Sequence, residues 1–489
     1  MEQKNSISRK MISRHDYEAR MGIDWPSYDD FINDCEIPSS IVEELKEFVN
    51  ETKSIFRKGY DYLSRVPHFV EYENLTDKQK FLLTESKHFC MMPWMHMHAF
   101  PDGRAYPCCL AEYWHPVGDL RKNTMKEIWN HDSYKKMRLN MLEDKSCKEC
   151  TKCYEQEEYG AFSMRYDANR NYGHLIGEVE QTLEDGTHPD FKIRYWDVRF
   201  SNLCNFRCRT CGPIFSSNWF DDHVKLYNRV PDVLKRDMAR VEYTAGDEDA
   251  IMGQMEEHIP YLEQVYFAGG EPLIMKEHYY LLEKLIEHGK TDIRIQYNTN
   301  FSEMRYKSKH VFDYWKHFAN VSVGASLDGM GPQAELIRKG ANWKQTVENR
   351  QRMIEEVPHV DFYVNCTVSV MNSLHVLDFH RAWTDLGLVQ ARDWNINICQ
   401  SPEWYRIDVL PKEFKENVVI PAYEKHIEWL EPLDNLNRAT AGYKSLIKLM
   451  QANDASHLIS RFNEEIEKLD RVRNENFYET FPELKVMQQ

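Results

Sequence analysis

Three cysteines, Cys204, Cys208 and Cys211, sit at spacings of four and three residues, a Cys-x3-Cys-x2-Cys run from which Gly212-Pro213 turns the chain away. Cubane iron–sulfur clusters take thiolate ligands, usually four cysteines. A run that supplies three and stops leaves one iron open to an exogenous ligand. The same thiols with a remote fourth ligand also suit structural zinc, whose usual unit is a Cys-x2–4-Cys pair. Unligated cysteine is, in turn, a common core residue. Of the twelve cysteines, nine fall in two groups, Cys90 to Cys153 and Cys204 to Cys211. Cys35, Cys366 and Cys399 stand alone and read as core thiols. Clustering of this kind points to metal.

The first group has its own logic. Trp94, His96, His98 and Phe100 alternate in strand fashion, Pro101-Asp102-Gly103 makes a turn, and Arg104 to Pro107 return. That hairpin brings Cys90 and Cys108 towards each other at its open end. An amphipathic helix is predicted over Met125 to Leu142, and the block closes with Cys147, Cys150 and Cys153. Two remote cysteines meeting a Cys-x2-Cys pair suffice for a four-thiolate site, of iron–sulfur or of zinc. His96 and His98 share one face of the strand, where packing or solvent exposure competes with metal ligation.

The elements that must position the second group alternate between strand and helix. Strands are predicted at 193–200, 264–267, 293–297, 321–325, 362–370 and 395–399, separated by amphipathic segments such as 278–288 and 342–356. This is a parallel α/β arrangement, in which ligand sites lie at the carboxyl ends of strands. Polar motifs fall at those ends. Gly269-Gly270-Glu271 ends the second strand: paired glycines let the backbone approach a ligand, and the carboxylate can accept from an ammonium group. A phosphate loop is excluded there, because Gly-x4-Gly-Lys-Ser/Thr is absent. Asn298-Thr299-Asn300 ends the third strand and Ser326-Leu327-Asp328-Gly329 the fourth, side chains suited to ribose hydroxyls and other polar atoms. Arg338 follows, a guanidinium able to clamp a carboxylate.

In their order, these motifs resemble the radical S-adenosylmethionine (radical SAM) superfamily. The first block, with Cys90, Gly103-x4-Cys108, Gly118-Asp119-Leu120 and Glu127-Ile128-Trp129, resembles the SPASM/twitch auxiliary-cluster domain, here placed before the barrel. The resemblance implies an open (β/α)6 barrel. It also implies a [4Fe-4S] cluster on Cys204, Cys208 and Cys211, and S-adenosylmethionine (SAM) held by Gly269, Gly270, Glu271, Asn298, Ser326, Asp328 and Arg338. A second, auxiliary [4Fe-4S] cluster is implied on Cys90, Cys108, Cys150 and Cys153, with Cys147 as a possible replacement and Cys109 as a packed thiol. The implied reaction is reductive cleavage of SAM to a 5′-deoxyadenosyl radical that takes hydrogen from a peptide, protein or small molecule. An external flavodoxin- or ferredoxin-like donor is implied. The sequence departs from the family at Thr210, where an aromatic residue is common before the third cysteine. Adenine contact is therefore expected at the last strand near Asn397. The opposing reading is a non-catalytic zinc- or iron–sulfur-binding structural protein.

The chain has 489 residues, 42% hydrophobic, with a formal charge of −16. That charge argues against broad attraction to nucleic acid or anionic membranes. No run approaches bilayer-spanning length, and Met1 to Lys10 lack the apolar core of a signal peptide, so a cytoplasmic protein is expected. The expected organisation is a helical N-terminal segment (1–85) with one helix near Ile41 to Val49 and the auxiliary domain (86–165), joined by a linker (166–190) to the barrel (191–404) and a helical C-terminal segment (405–489). That last segment suits either a cap over the barrel or an oligomer contact.

Overall fold

A computed structural model describes residues 74–158, 163–231, 240–247, 249–435 and 437–488. The helix expected near Ile41 to Val49, and Cys35, lie outside them. The described residues divide into two compact units: those up to Val198 with those of 244–265 and 287–294, and those of 199–243 with 266–286 and those from Ile295 onward.

In the first unit the expected hairpin is formed by β1 (His96–Ala99) and β2 (Arg104–Tyr106), paired antiparallel with His98 opposite Tyr106. A short β3 (Gly118–Asp119) extends it. On its other side β1 pairs in parallel with β4 (Tyr195–Val198), His96 opposite Tyr195 and His98 opposite Asp197, and β4 pairs in turn with the start of β5 (Gln264–Phe267). Both histidines are buried and spend a ring nitrogen on the neighbouring strand: His96 Nδ1 lies 2.7 Å from Tyr195 O, and His98 Nδ1 2.9 Å from Asp197 O. Packing, not solvent exposure, explains them.

Two expectations change here. The helix predicted over Met125 to Leu142 is two helices, α1 (Met125–Trp129) and α2 (Asp132–Leu142). Thr124 and Glu127 close a capping box on α1, and the His131 side chain accepts from Ser133 N to start α2. Between them Asn130 Oδ1 accepts from Arg138 Nη1 (3.0 Å) and His188 N (2.9 Å), so a half-buried, doubly bonded polar group lies at the break. The stretch expected as a linker carries most of α4 (Met164–Tyr172), which follows α3 (Thr151–Glu158). Asn169 of α4 accepts from Met91 N (2.9 Å) and donates to Phe89 O (3.0 Å), tying the helix to the backbone beside Cys90.

The second unit holds the end of β5, then β6 (Arg294–Thr299), a small hairpin β7 (Arg305–Tyr306) and β8 (Lys309–His310), β9 (Asn320–Ala325), β10 (Asp361–Val368) and β11 (Trp394–Ile398). Within it β6, β9, β10 and β11 are neighbours in chain order, and β9, β10 and β11 pair in parallel. Counted from β4, six long strands alternate with helices, the open (β/α)6 arrangement. The helices are α5 (Trp219–Tyr227), α6 (Lys276–Glu287), α7 (Gly331–Ile337), α8 (Trp343–Glu356) and α9 (His375–Asp385). In β6, Ile295, Tyr297 and Thr299 are buried while Arg294, Gln296 and Asn298 are half-buried, the period-two pattern of a strand with one apolar face. Cys366 and Cys399 are buried among the core, as expected for isolated thiols.

The C-terminal segment is helical: α10 (Ile420–Leu430), α11 (Arg438–Ala452) and α12 (Ile459–Arg473). It packs on the strands of its own unit. A Cβ placed on Gly442 of α11 would stand 2.6 Å from Cβ of Ile396 in β11.

Candidate functional site

The loop bearing Cys204, Cys208 and Cys211 begins where β4 ends. It is held by backbone bonds to two other segments of the second unit. Arg207 N donates to Lys339 O (2.8 Å) and Arg209 N to Ile337 O (2.7 Å), while Glu271 N donates to Leu203 O (2.8 Å). The close approach at Leu203 requires Gly270. Its φ is +56°, and a Cβ there would stand 2.3 Å from Leu203 O.

Burial raises all three thiols. Cys211 is pushed up to about 12, with Cys208 adding to the effect, and Cys204 is held well above its ordinary value by burial, then by Cys208 and Glu271. Cys208 is raised by burial against the pull of Arg338, whose Nη1 lies 3.9 Å from Cys208 Sγ. Three thiols so placed persist as thiolates only against a metal's charge. The donor set therefore fits a cluster.

The structure brings several expected residues to this loop. Glu271 is 1% exposed. Its carboxylate accepts from Thr299 Oγ1 (2.7 Å), Asn300 N (2.6 Å) and Leu273 N (3.1 Å). A carboxylate has about four acceptor sites, so one is left for a ligand. Burial raises its pKa to about 7 despite those donors. Asp328, 2% exposed, accepts from Thr367 N (2.8 Å) and pairs with Arg338, Nε to Oδ2 2.8 Å. Arg338 thus spans Asp328 and Cys208.

Asn298 and Ser326 stand otherwise. The amide of Asn298 accepts from Asn365 Nδ2 (3.3 Å), and Asn365 accepts from Asn395 (2.8 Å) and Asn397 (2.6 Å), a row of amides across three strands. Ser326 donates its backbone N–H to Thr299 O (2.8 Å). Sequence reasoning missed Asn205 and Ser302: Asn300 donates to Asn205 Oδ1 (2.8 Å), and Asn205 donates to Ser302 Oγ (2.9 Å). Asn205 lies inside the cysteine motif, which was the available signal.

The second cysteine group forms its own site in the first unit. Cys90, Cys108, Cys150 and Cys153 line one small cavity, walled otherwise by apolar groups and by Glu149 and Arg165. Cys147 is not on it. Its Sγ instead faces Met137 O at 3.8 Å, and its N–H meets Tyr154 Oη at 3.3 Å. Burial pushes Cys90 up to about 12 and holds Cys150 well above its ordinary value, with Cys108 next in effect. Arg165 is fixed beside the cavity by Glu157 (Nε to Oε1, 2.9 Å) and by Phe89 O (2.9 Å). Among the described residues, no three His, Cys, Asp or Glu side chains converge closely enough for one metal ion.

Residues 198–374 match the model of the radical SAM superfamily, and residues 90–154 match SPASM, an iron–sulfur cluster-binding domain. No curated protein matches the chain. Among solved structures, native anSMEcpe with bound AdoMet and Cp18Cys peptide is 18% identical over 48% of this chain and 59% of its own, with a TM-score of 0.30. The same protein with AdoMet alone is 17% identical over 51% and 62%, TM-score 0.33. SuiB from Streptococcus suis bound to S-adenosylmethionine is 12% identical over 62% and 61%, TM-score 0.29. The chain spans about three-fifths of the length of these structures.

Proposed function

The chain belongs to the radical SAM superfamily and carries a SPASM domain ahead of its barrel, and on that premise we propose that it cleaves SAM reductively and abstracts hydrogen from a peptide or small-molecule substrate. Cys204, Cys208 and Cys211 hold the [4Fe-4S] cluster. When bound, that cluster supplies one electron to SAM, whose 5′-deoxyadenosyl group becomes the hydrogen-abstracting radical. One observation carries the reading. The strand-end groups expected to hold SAM also fix the cysteine loop, through Glu271 N to Leu203 O and Arg338 to Cys208. In this assignment the remaining acceptor site of Glu271 takes the ammonium group of SAM, and Gly269 and Gly270 give it room. Asp328 orients Arg338. Asn298 and Ser326 bind polar atoms of the nucleoside.

Cys90, Cys108, Cys150 and Cys153 would hold an auxiliary [4Fe-4S] cluster, which would accept the electron lost by a substrate radical and so make the net reaction an oxidation. All four line one cavity, which supports reading them as one ligand set. Residues 86–165 then form the auxiliary domain and 191–404 the barrel, with a flavodoxin- or ferredoxin-like donor. No described helix is long and apolar enough to cross a membrane.

The test is anaerobic reconstitution with iron and sulfide. Uptake of about eight iron atoms and release of 5′-deoxyadenosine on reduction are expected, with the release abolished in Cys208→Ala. Stoichiometric zinc without SAM cleavage refutes the assignment.

A further inference from the structure

Two arginines flank Cys208: Arg209 reaches the C-terminal arm directly, and Arg207 reaches Asp222, which the arm's Arg473 also holds. Arg207 Nη1 lies 2.9 Å from Asp222 Oδ1 of α5. Arg473, the last residue of α12, places Nε 2.8 Å from Asp222 Oδ2 and donates from Nη2 to Arg207 O (2.8 Å). Arg209 pairs with Asp470 and with Glu475 (2.7 Å), and Glu475 also pairs with Lys339 (2.8 Å). Local sequence builds this pincer. Asn474 takes the left-handed conformation (φ +53°) that ends α12, its N–H bonded to Asp470 O. The chain therefore turns back and sets Glu475 beside Asp470.

The geometry at Cys208 gives these pairs a use. Residues 207 and 209 bond through their N–H groups to residues 339 and 337, which pins the backbone on both sides of Cys208. The Arg207 side chain goes to Asp222, which Arg473 of the C-terminal arm also holds, the Arg209 side chain goes to the arm itself, and Cys208 goes to Arg338. Gripping the arginines sets where the thiol points. Asp222, Arg209 and Arg473 are buried, and buried ion pairs add little stability compared with apolar residues of like volume. Position is the better account of them.

We infer that Asp222, Asp470, Arg473 and Glu475 are positioning residues for the cluster loop, so that the C-terminal arm is a working part of the barrel's cluster site. The inference rests on the assignment of Cys204, Cys208 and Cys211 given above.

The test uses the full chain as wild type, Arg473→Met, Arg473→Lys, and the near-isosteric double variant Asp470→Asn/Glu475→Gln. Each is reconstituted anaerobically and read by iron content and by electron paramagnetic resonance with and without SAM. Arg473→Met and the double variant should lose the SAM-sensitive signal and keep the SAM-insensitive one, with iron falling from about eight to about four per chain. Arg473→Lys, which keeps the charge but not the fork, should fall between. In the cluster-free protein, amide exchange at Arg207 and Arg209 should quicken by about tenfold or more, a local opening. A wild-type SAM-sensitive signal in both Arg473→Met and the double variant overturns the inference. So does parallel loss of both signals, which marks a general folding defect. A wild-type protein with no SAM-sensitive signal refutes the functional reading instead, and the exchange rates then decide: unchanged rates overturn the clamp.

Discussion

The carboxylate of Glu271 and the hydroxyl of Thr299 meet at 2.7 Å, joining the end of β5 to the end of β6 beneath the cysteine loop. Glu271 also takes Asn300 N, and its own N–H holds Leu203 O, so one residue fixes two strand ends and the approach to Cys204.

That arrangement has a pH signature. Burial raises Glu271 from 4.5 to about 7, so the folded chain holds this proton more tightly than the unfolded chain does. The contribution to stability is complete below about pH 4.5 and is lost as pH rises through about 7. At 1.36 kcal/mol per pKa unit it amounts to roughly 3 kcal/mol. Urea unfolding of the cluster-free protein should show stability falling across that window, and Glu271→Gln should flatten the fall. Equal pH dependence in the two proteins refutes this account of Glu271.

Gly270 and Gly212 make a matched pair. A methyl group at Gly270 meets Leu203 O at 2.3 Å and forces a left-handed residue into strain worth about 1–3 kcal/mol. At Gly212, in the cysteine loop itself, a Cβ meets nothing within 4 Å. Gly270→Ala should therefore lose most of the barrel's iron while Gly212→Ala keeps it, measured after identical reconstitution. Equal iron in both would mean that the contact at Leu203 does not govern the loop.

The strands were legible because their signals are local. Gln264–Phe267 forms over the predicted residues, β9 starts one residue earlier than predicted, and β11 is shifted by one residue at both ends. Asn342, the first residue of the predicted segment 342–356, proves to be the N-cap of α8. What escaped depends on distant partners. The break between α1 and α2 follows from Asn130 meeting His188, 58 residues on. The role of the C-terminal arm follows from Asp222 meeting Arg473 across 251 residues. No periodicity encodes such pairs. At the auxiliary site the sequence reading assigned Cys150, with Cys147 as a possible replacement for one of the four ligands, and Cys150 lies on the cavity while Cys147 does not.

That separation predicts unequal mutants. Cys147→Ser should retain the auxiliary cluster, because its thiol faces Met137 O away from the cavity. Cys90→Ser, Cys108→Ser, Cys150→Ser and Cys153→Ser should each lose about four iron atoms and the SAM-insensitive paramagnetic signal. Loss on changing Cys147 with retention on changing Cys150 would reverse the assignment.

Arg338 has two jobs that a double-mutant cycle can part. It neutralises Asp328, which is 2% exposed, and it stands beside Cys208 where SAM is assigned. Arg338→Gln leaves a buried carboxylate unpaired, at a cost of about 3–5 kcal/mol. Asp328→Asn removes that charge and still leaves an oxygen for Thr367 N. The double variant Arg338→Gln/Asp328→Asn should thus recover most of the stability lost by Arg338→Gln, as read from urea midpoints. SAM affinity should not recover, because the guanidinium assigned to the cofactor's carboxylate is gone, a charge-assisted bond worth about 1.5–3 kcal/mol. Two amides in place of the ion pair keep the fold and lose the ligand. If SAM binds the double variant as tightly as the wild type, Arg338 serves Asp328 alone and the carboxylate of SAM is held elsewhere.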